Sequence, residues 1–201
     1  MAIRTLFTVL LCCSFFVVLG QTDQDSVVVE DDSLSRGVAS PIMDAELYLQ
    51  PDSILLSPEE LSNKRWYTNL GEAMRNPREV YKLSLPNQKL REIPSAVFRL
   101  PNLQVLDLSG NKLKKLPGRV ADLQHLEILI LTNNKLNVLP DEVKEMDNLR
   151  ELYLRSNRLV EVPAWVGGLS KLRKMDISYN QLLLEDVVAL QGRLPKCEVV
   201  Y

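Results

Sequence analysis

Histidine and cysteine are scarce in this 201-residue sequence, which has one histidine, His125, and three cysteines. Nucleophilic and general-base catalysis usually rely on a histidine or another base placed beside a serine or cysteine, and no such pairing is apparent. The sequence also lacks a glycine-rich phosphate loop after a strand and lacks metal-ligand spacings. We therefore expect a protein that is not an enzyme and that uses no cofactor and no metal.

Long apolar runs are also missing, apart from one at the amino terminus between Leu6 and Leu19. This run is shorter than the about 20 residues that a membrane-spanning helix needs. Val18 and Gly20 are small enough for the −3 and −1 positions of a signal-peptidase site. We interpret residues 1–20 as a signal peptide and expect no membrane span after its cleavage. An uncleaved anchor and a lipoprotein remain alternatives.

Cysteine content argues against a fold held together by disulfides. Cleavage after residue 20 would remove Cys12 and Cys13, leaving Cys197 alone. An intramolecular disulfide would then be impossible. We interpret Cys197 as a small buried residue near the carboxyl terminus, with an intermolecular disulfide or a reactive thiol as the alternative.

Charge divides the remaining chain into two parts. Residues 21–56 contain eight acidic residues and one basic residue, a net charge of −7, and show no apolar periodicity. From residue 57 onward there are 18 acidic and 22 basic residues, a net charge of +4. Low hydrophobicity with high net charge predicts an acidic disordered tether over 21–56. The alternative is that this segment folds back on the basic part as a shield.

A period of 23 residues dominates the rest of the sequence. In the copy that begins at Leu103, alternation places Leu106 and Leu108 on one face of a strand and Val105 and Asp107 on the other. One such strand cannot bury its apolar face alone, so consecutive copies are expected to stack. The five copies begin at Val80, Leu103, Leu126, Leu149 and Leu172.

The shared pattern, LxxLxLxxNxLxxLPxxVxxLxx, resembles the leucine-rich repeat family over residues 80–182. The variant with LP in mid-repeat is similar to a class found in intracellular Ras-group proteins and in many bacterial secreted proteins. The segment YTNLGEAMRNPREVYKLSL also resembles the sequence that precedes the first repeat in bacterial members. The resemblance implies an α/β solenoid, a short curved array with a parallel concave sheet of about five strands and a cap at each end.

Both caps have sequence signals of their own. Residues 57–79 form the predicted N-terminal helical cap, a short helix over the first repeat. Ser57, Pro58 and Glu60 make a capping-box start, and Asn76 and Pro77 are expected to end the helix. Residues 183–201 form the predicted C-terminal cap, a helix followed by a strand in KCEVVY. On that helix we expect four inward apolar residues, namely Leu184, Val187, Val188 and Leu190.

A recurrent asparagine follows each strand after the first, where the chain bends inward. An amide supplies two donors and one acceptor, so it can satisfy backbone groups of its own turn and of a neighbouring turn. We predict a buried ladder of Asn111, Asn134, Asn157 and Asn180. The first copy has Gln88 at this position, which predicts a less regular first turn.

The outward side chains of the strands are the candidate binding residues, because packing does not constrain them. Adjacent strands lie about 4.8 Å apart, so the apolar members should form one exposed patch rimmed by charge. Five rungs offer only a few hundred Å², less than the about 800 Å² per partner of a standard interface. The predicted concave-face residues are Val105, Asp107, Ile128, Ile130, Glu151, Tyr153 and Arg155.

These observations predict a module that binds a protein ligand and not nucleic acid, located in a secreted, periplasmic or cell-surface setting. The family resemblance implies the binding role, and the residue pattern indicates the concave face. One alternative is a structural or adaptor element of the cell envelope that acts by self-association. Another is an intracellular Ras-group-like signalling scaffold, which requires that the leader not function.

Overall fold

The computed structural model describes residues 55–201. The predicted signal peptide lies outside the described residues, as does the predicted tether apart from its last two positions. Among residues 55–201, no helix is both long and apolar enough to span a bilayer.

Seven strands form one parallel sheet in which each strand pairs with the next strand in the sequence. This order confirms the predicted solenoid, and the five repeat strands all form. The sheet is longer than expected because one further strand is added at each end. The strands are β1 (Trp66–Tyr67), β2 (Lys82–Ser84), β3 (Val105–Asp107), β4 (Ile128–Ile130), β5 (Glu151–Tyr153), β6 (Lys174–Asp176) and β7 (Glu198–Val200).

The pairing register equals the sequence period, which aligns equivalent residues in columns behind the sheet. Leu83 pairs with Leu106, and Leu106 pairs with Leu129. These side chains are fully buried, as are Leu152 and Met175 in the next two strands. Each buried side chain of this size contributes about 1.5–3 kcal/mol. The repeated leucines therefore supply the core that a single strand lacks.

The return segments on the convex side are short 3₁₀ helices, and α-helix in the described part of the chain occurs only in the caps. A proline precedes each of the four repeat helices and cannot donate a backbone hydrogen bond, which suits a position just before a helix. A fully buried valine in each helix packs into the core. The helices are Ser95–Arg99, Gly118–Asp122, Asp141–Glu145 and Ala164–Gly168.

Each repeat turn contains a residue with positive φ at the position before the ladder residue. Gly110 has φ +66°, and the equivalent residues of the other turns have φ between 55° and 57°: Asn87, Asn133, Ser156 and Tyr179. Left-handed backbone is uncommon outside glycine and is tolerated best by asparagine. In the first turn Lys89 also has φ 59° and Gln88 is exposed, so this turn departs from the others.

The N-terminal cap differs from the single helix expected. Helix α1 (Pro58–Asn63) and helix α2 (Leu70–Ala73) are separated by β1, which pairs with β2. Ser57 and Glu60 form the capping box at the start of α1. Hydrogen bonds from the backbone and side chain of Ser57 lower the pKa of Glu60.

The C-terminal cap contains helix α3 (Leu184–Arg193) followed by β7. The predicted inward face of α3 was wrong in part. Val187 and Leu190 are buried, but Leu184 is 67% exposed and Val188 is 58% exposed. The helix is rotated so that Val187 and Leu190, together with Leu194 beyond its end, join the core, and α3 contacts the 3₁₀ helix Ala164–Gly168.

Cys197, the free cysteine of the described residues, directly precedes β7. It is half-buried and packs against the core. Burial raises the pKa of its thiol, which disfavours the reactive thiolate.

Candidate functional site

Six of the seven predicted concave-face residues lie in two columns of paired strand positions, and Arg155 follows the end of β5. Val105 pairs with Ile128, and Ile128 with Glu151; Asp107 pairs with Ile130, and Ile130 with Tyr153. Ile128, Ile130, Glu151 and Tyr153 are all half-buried. The expectation that Val105 is exposed was wrong, because its exposure is only 4%. Val105 is nevertheless not part of the leucine core, so another element must cover it.

The N-terminal cap explains the burial of Val105. The backbone N–H of Leu56 donates to Gln104 Oε1 at 3.1 Å, and Gln104 Nε2 donates back to the carbonyl of Leu56 at 3.2 Å. Lys82 Nζ donates to the carbonyl of Ser62 at 3.1 Å. These bonds hold both ends of α1 against the first strands on the concave side. Leu61 of α1 is buried there, outside the leucine core.

A cleft of about 640 Å³ lies between α1 and the concave sheet. Its volume falls in the about 300–1,000 Å³ range of ligand-binding clefts. Its apolar lining comes from both the cap and the strands. These residues are Pro58, Leu61, Trp66, Val105, Ile128, Ile130 and Tyr153, and the polar lining includes Lys82, Glu127, Arg150 and Glu151.

A tyrosine–glutamate pair lies at one side of the cleft. Tyr153 Oη donates to Glu151 Oε2 at 2.7 Å. Burial, followed by this hydrogen bond, raises the pKa of Tyr153 to about 12. The phenol therefore stays protonated at neutral pH and keeps Glu151 oriented beside Ile128.

The other predicted charged residues have local partners. Asp107 accepts a hydrogen bond from Ser84 Oγ at 2.9 Å and one from the backbone N–H of Ser109 at 2.9 Å. Arg155 stacks over the exposed ring of Tyr179, 4.4 Å from its centroid. Among the described residues Glu151 and Arg155 do not form an ion pair, so the guanidinium keeps its donors available beside an aromatic ring.

A row of polar residues at the start of the strands was missed by the sequence interpretation. Gln104 Nε2 donates to Glu127 Oε1 at 3.1 Å, and Arg150 Nε is 3.2 Å from Glu127 Oε2. Gln104 and Glu127 are almost fully buried. These residues occupy the same repeat position, 23 residues apart, so the column could have been read from the alignment of copies. The burial of Gln104 and Glu127 could not be predicted from that alignment, because it depends on the N-terminal cap.

The asparagines after the strands form a regular set of hydrogen bonds. Asn134 Nδ2 donates to the carbonyls of Leu108 at 2.9 Å and Leu131 at 3.0 Å, and its Oδ1 accepts from the backbone N–H of Leu113 at 3.1 Å. Each asparagine thus joins its own turn to the preceding one. Asn111, Asn157 and Asn180 make equivalent bonds.

Metal-ligating side chains do not gather anywhere within residues 55–201: no group of three or more histidine, cysteine, aspartate or glutamate residues could hold an ion.

Comparisons with known proteins agree with the architecture. A family model described as a leucine-rich repeat region matches residues 78–196. Among curated proteins, none matches the chain significantly. Among solved structures, a leucine-rich repeat protein of Leptospira interrogans is similar, with 35% identity, a TM-score of 0.59, and coverage of 62% of this chain and 32% of that one.

An internalin of Listeria monocytogenes is also similar, with 22% identity, a TM-score of 0.47, and coverage of 59% of this chain and 32% of that one. The present chain therefore spans about a third of the length of each of these structures. The family match extends from the end of the N-terminal cap into the C-terminal cap and includes every repeat strand. The chain belongs to the leucine-rich repeat family.

Proposed function

We propose that this protein is a secreted or surface-exposed interaction module that binds a protein ligand in the cleft between α1 and the concave sheet. The leucine-rich repeat fold suggests a protein–protein interaction module, and relatives of this fold are typically not enzymes. The observation that carries the proposal is the cleft itself, which combines an apolar floor with a few oriented polar groups. That composition is typical of the central part of a binding site.

The chemistry of the cleft favours an apolar anchor side chain on the ligand. Ile128 and Ile130 form the floor, and Tyr153 presents an aromatic ring beside them. Glu151 and Arg150 line the cleft and are placed to accept and donate hydrogen bonds. Buried apolar anchors surrounded by polar contacts carry most of the binding energy in protein interfaces.

The cap supports the proposal in a second way. A bare concave sheet of this size offers less area than a standard interface requires. Helix α1 adds a wall to the face and turns part of a shallow surface into a cleft. A ligand side chain inserted there is surrounded on more sides than it would be on an open sheet.

Secretion to the periplasm, to the cell surface or to the medium is proposed from the sequence of residues 1–20. The measurement that tests it is mass spectrometry of the mature amino terminus. A start at Gln21 supports secretion, and an intact Met1 or Ala2 start contradicts it.

The binding proposal is tested with Ile130→Asp in the full chain. The side chain points away from the leucine core, so the variant should fold while a charge enters the floor of the cleft. Its matched control is Ala164→Asp, an exposed position on the convex side. In a pull-down from the cells that produce this protein, Ile130→Asp should fail to capture the proteins that the wild type captures. Ala164→Asp should capture the same proteins as the wild type. Equal capture by all three proteins would rule out the cleft as the binding site.

A further inference from the structure

The loops that follow the ladder positions form a second continuous surface, separate from the concave cleft. Backbone hydrogen bonds join each loop to the one before it: Lys112 N–H to Leu90 O at 2.7 Å, Lys135 N–H to Leu113 O at 2.9 Å, and Arg158 N–H to Leu136 O at 2.9 Å. The same bond joins the fifth loop to the fourth. Equivalent side chains of the five loops therefore lie side by side along one flank of the solenoid.

The first three loops make this flank strongly basic. Arg91, Lys112, Lys114, Lys115 and Lys135 line a common cleft of about 740 Å³, in which Glu92 is the only acidic residue of the lining. None of the four ion pairs found among residues 55–201 involves these five cations. Their charges are therefore available to an external partner.

Exposed aliphatic residues lie on the same flank in the last three loops, where Arg158 and Glu161 are also exposed. Val138 is 45% exposed, Val160 is 56% exposed, and Leu183 and Leu184 are 59% and 67% exposed. These four are half of the eight large apolar residues with high exposure in the described part of the chain, and they share two adjacent repeat positions. Contiguous exposed aliphatic residues beside a charged cluster indicate an interaction site.

We propose that this flank binds an extended acidic polypeptide whose carboxylates contact the basic loops and whose aliphatic residues continue onto Val138, Val160 and Leu183. Charge complementarity selects an anionic partner, and clusters of basic residues commonly recognise acidic motifs. The aliphatic half selects a partner that also carries apolar side chains next to its acidic ones. The four spacings between five loops cover about 19 Å, which about six extended residues span.

A polypeptide fits this surface better than an anionic bilayer does. The basic side chains border a cleft, which admits an extended chain but not the flat plane of lipid headgroups. The aliphatic residues continue the line of the cleft from loop to loop. The aliphatic residues do not surround the lysines, which is the arrangement expected of a surface that inserts into a bilayer.

The test uses the full chain and a fluorescein-labelled peptide with a run of glutamates followed by valines and leucines, measured by fluorescence anisotropy. The main variant is Lys112→Glu/Lys114→Glu/Lys115→Glu, all at exposed positions. Its matched control, with the same change in net charge, is Arg75→Glu/Lys144→Glu/Lys196→Glu, also at exposed positions away from the flank. A second variant, Val160→Asp, tests the aliphatic half.

We expect the flank triple variant to weaken peptide binding at least about 10-fold, because each surface ion pair is replaced by repulsion. Val160→Asp should weaken it about 5-fold through lost apolar contact and through repulsion between the new carboxylate and the carboxylates of the peptide. Added salt should weaken wild-type binding by screening. The control triple variant should retain most of the affinity. Ile130→Asp should bind the peptide as the wild type does, because the concave cleft is a different surface.

Three results would overturn the inference. Equal losses in the two triple variants would mean that only net charge matters. Loss of binding in the flank triple variant with no effect of Val160→Asp would remove the aliphatic half from the site. Binding to phosphatidylserine vesicles without binding to the peptide would assign the flank to a lipid surface.

Discussion

Replacing Asn134 by leucine tests whether the asparagine ladder holds neighbouring turns together. The asparagine side chain is 8% exposed and bonds to backbone groups of three segments. Leucine has as many side-chain heavy atoms as asparagine but no polar atoms, so the substitution leaves Leu113 N–H without its partner. The carbonyls of Leu108 and Leu131 each lose one donor but keep the hydrogen bonds from Asn111 and Asn157. The turn itself need not change shape for the bonds to be lost.

The cost follows from the number of groups left unpaired. Each buried backbone group without a partner costs about 1–3 kcal/mol. One such group, Leu113 N–H, is left unpaired, so the expected loss in the free energy of unfolding is about 1–3 kcal/mol. For a domain of this size, 1 kcal/mol lowers the midpoint of thermal unfolding by about 2–4 °C, so the expected decrease is about 2–12 °C.

Differential scanning calorimetry on the full chain provides the measurement. Asn137→Leu is the matched control, since Asn137 is exposed and a surface substitution should change stability by no more than about 0.5 kcal/mol. Asn180→Leu should be milder than Asn134→Leu, because Asn180 is only half-buried and water can replace part of its bonding. Equal midpoints for Asn134→Leu and Asn137→Leu would refute the ladder's role in stability.

Three further predictions concern the cap, the cleft and one turn. Ser57→Ala removes the cap of α1 and should speed amide exchange in Pro58–Asn63 several-fold, while hydrogen exchange in β4 stays unchanged; uniform exchange rates would contradict it. The pKa of Tyr153 near 12 exceeds the usual value of about 10, so its contribution to stability is complete below pH 10 and is lost as the pH rises towards 12. Phenolate absorbance should thus show one late-titrating tyrosine that is absent from Tyr153→Phe. Gly110→Val should cost about 1–3 kcal/mol in urea unfolding because a β-branched residue resists φ +66°. Any Cβ at this position must also displace the exposed Asn87 side chain, so Gly110→Asn should cost less than Gly110→Val but should still be destabilising.

The repeat strands were predictable because their information is local and repeated. Leu106 and Leu108 alternate with Val105 and Asp107 in one copy, and the same alternation in five copies fixes the register once the copies stack. A period of 23 residues that all copies share leaves only one alignment of the strands. The family resemblance and the periodicity therefore led to the same sheet.

The cap was less predictable because its strand has almost no local signal. Trp66–Tyr67 is only two residues long, and no alternation can be recognised in so short a segment. It becomes a strand because β2 offers an unpaired edge beside it. For the same reason α1 and α2 were predicted to be one helix. The break between them is β1, which forms only through its pairing with β2.

The error on α3 has a geometric origin. Leu184, Val187, Val188 and Leu190 are all apolar, so the sequence allows several rotations of the helix. Packing of α3 on the core beside the 3₁₀ helix Ala164–Gly168 selects Val187 and Leu190, which are three positions apart, and leaves Leu184 and Val188 in solvent. The exposure of Leu184 and Val188 was not predicted, because every apolar residue of the cap helix was assigned to the core.

The position of α1 makes the concave face asymmetric, which changes how a ligand must approach it. Lys82 and Val105 of the first two repeat strands are covered, with exposures of 6% and 4%, whereas Ile128, Glu151 and Lys174 of the next three remain half-exposed. An anchor side chain must therefore enter over β4 to β6 and extend towards α1. The hydrogen bonds between the Gln104 side chain and the Leu56 backbone, and from Lys82 Nζ to the carbonyl of Ser62, hold that wall in place. Since none of these contacts is local in sequence, the repeat pattern could locate the binding face but not the direction in which it opens.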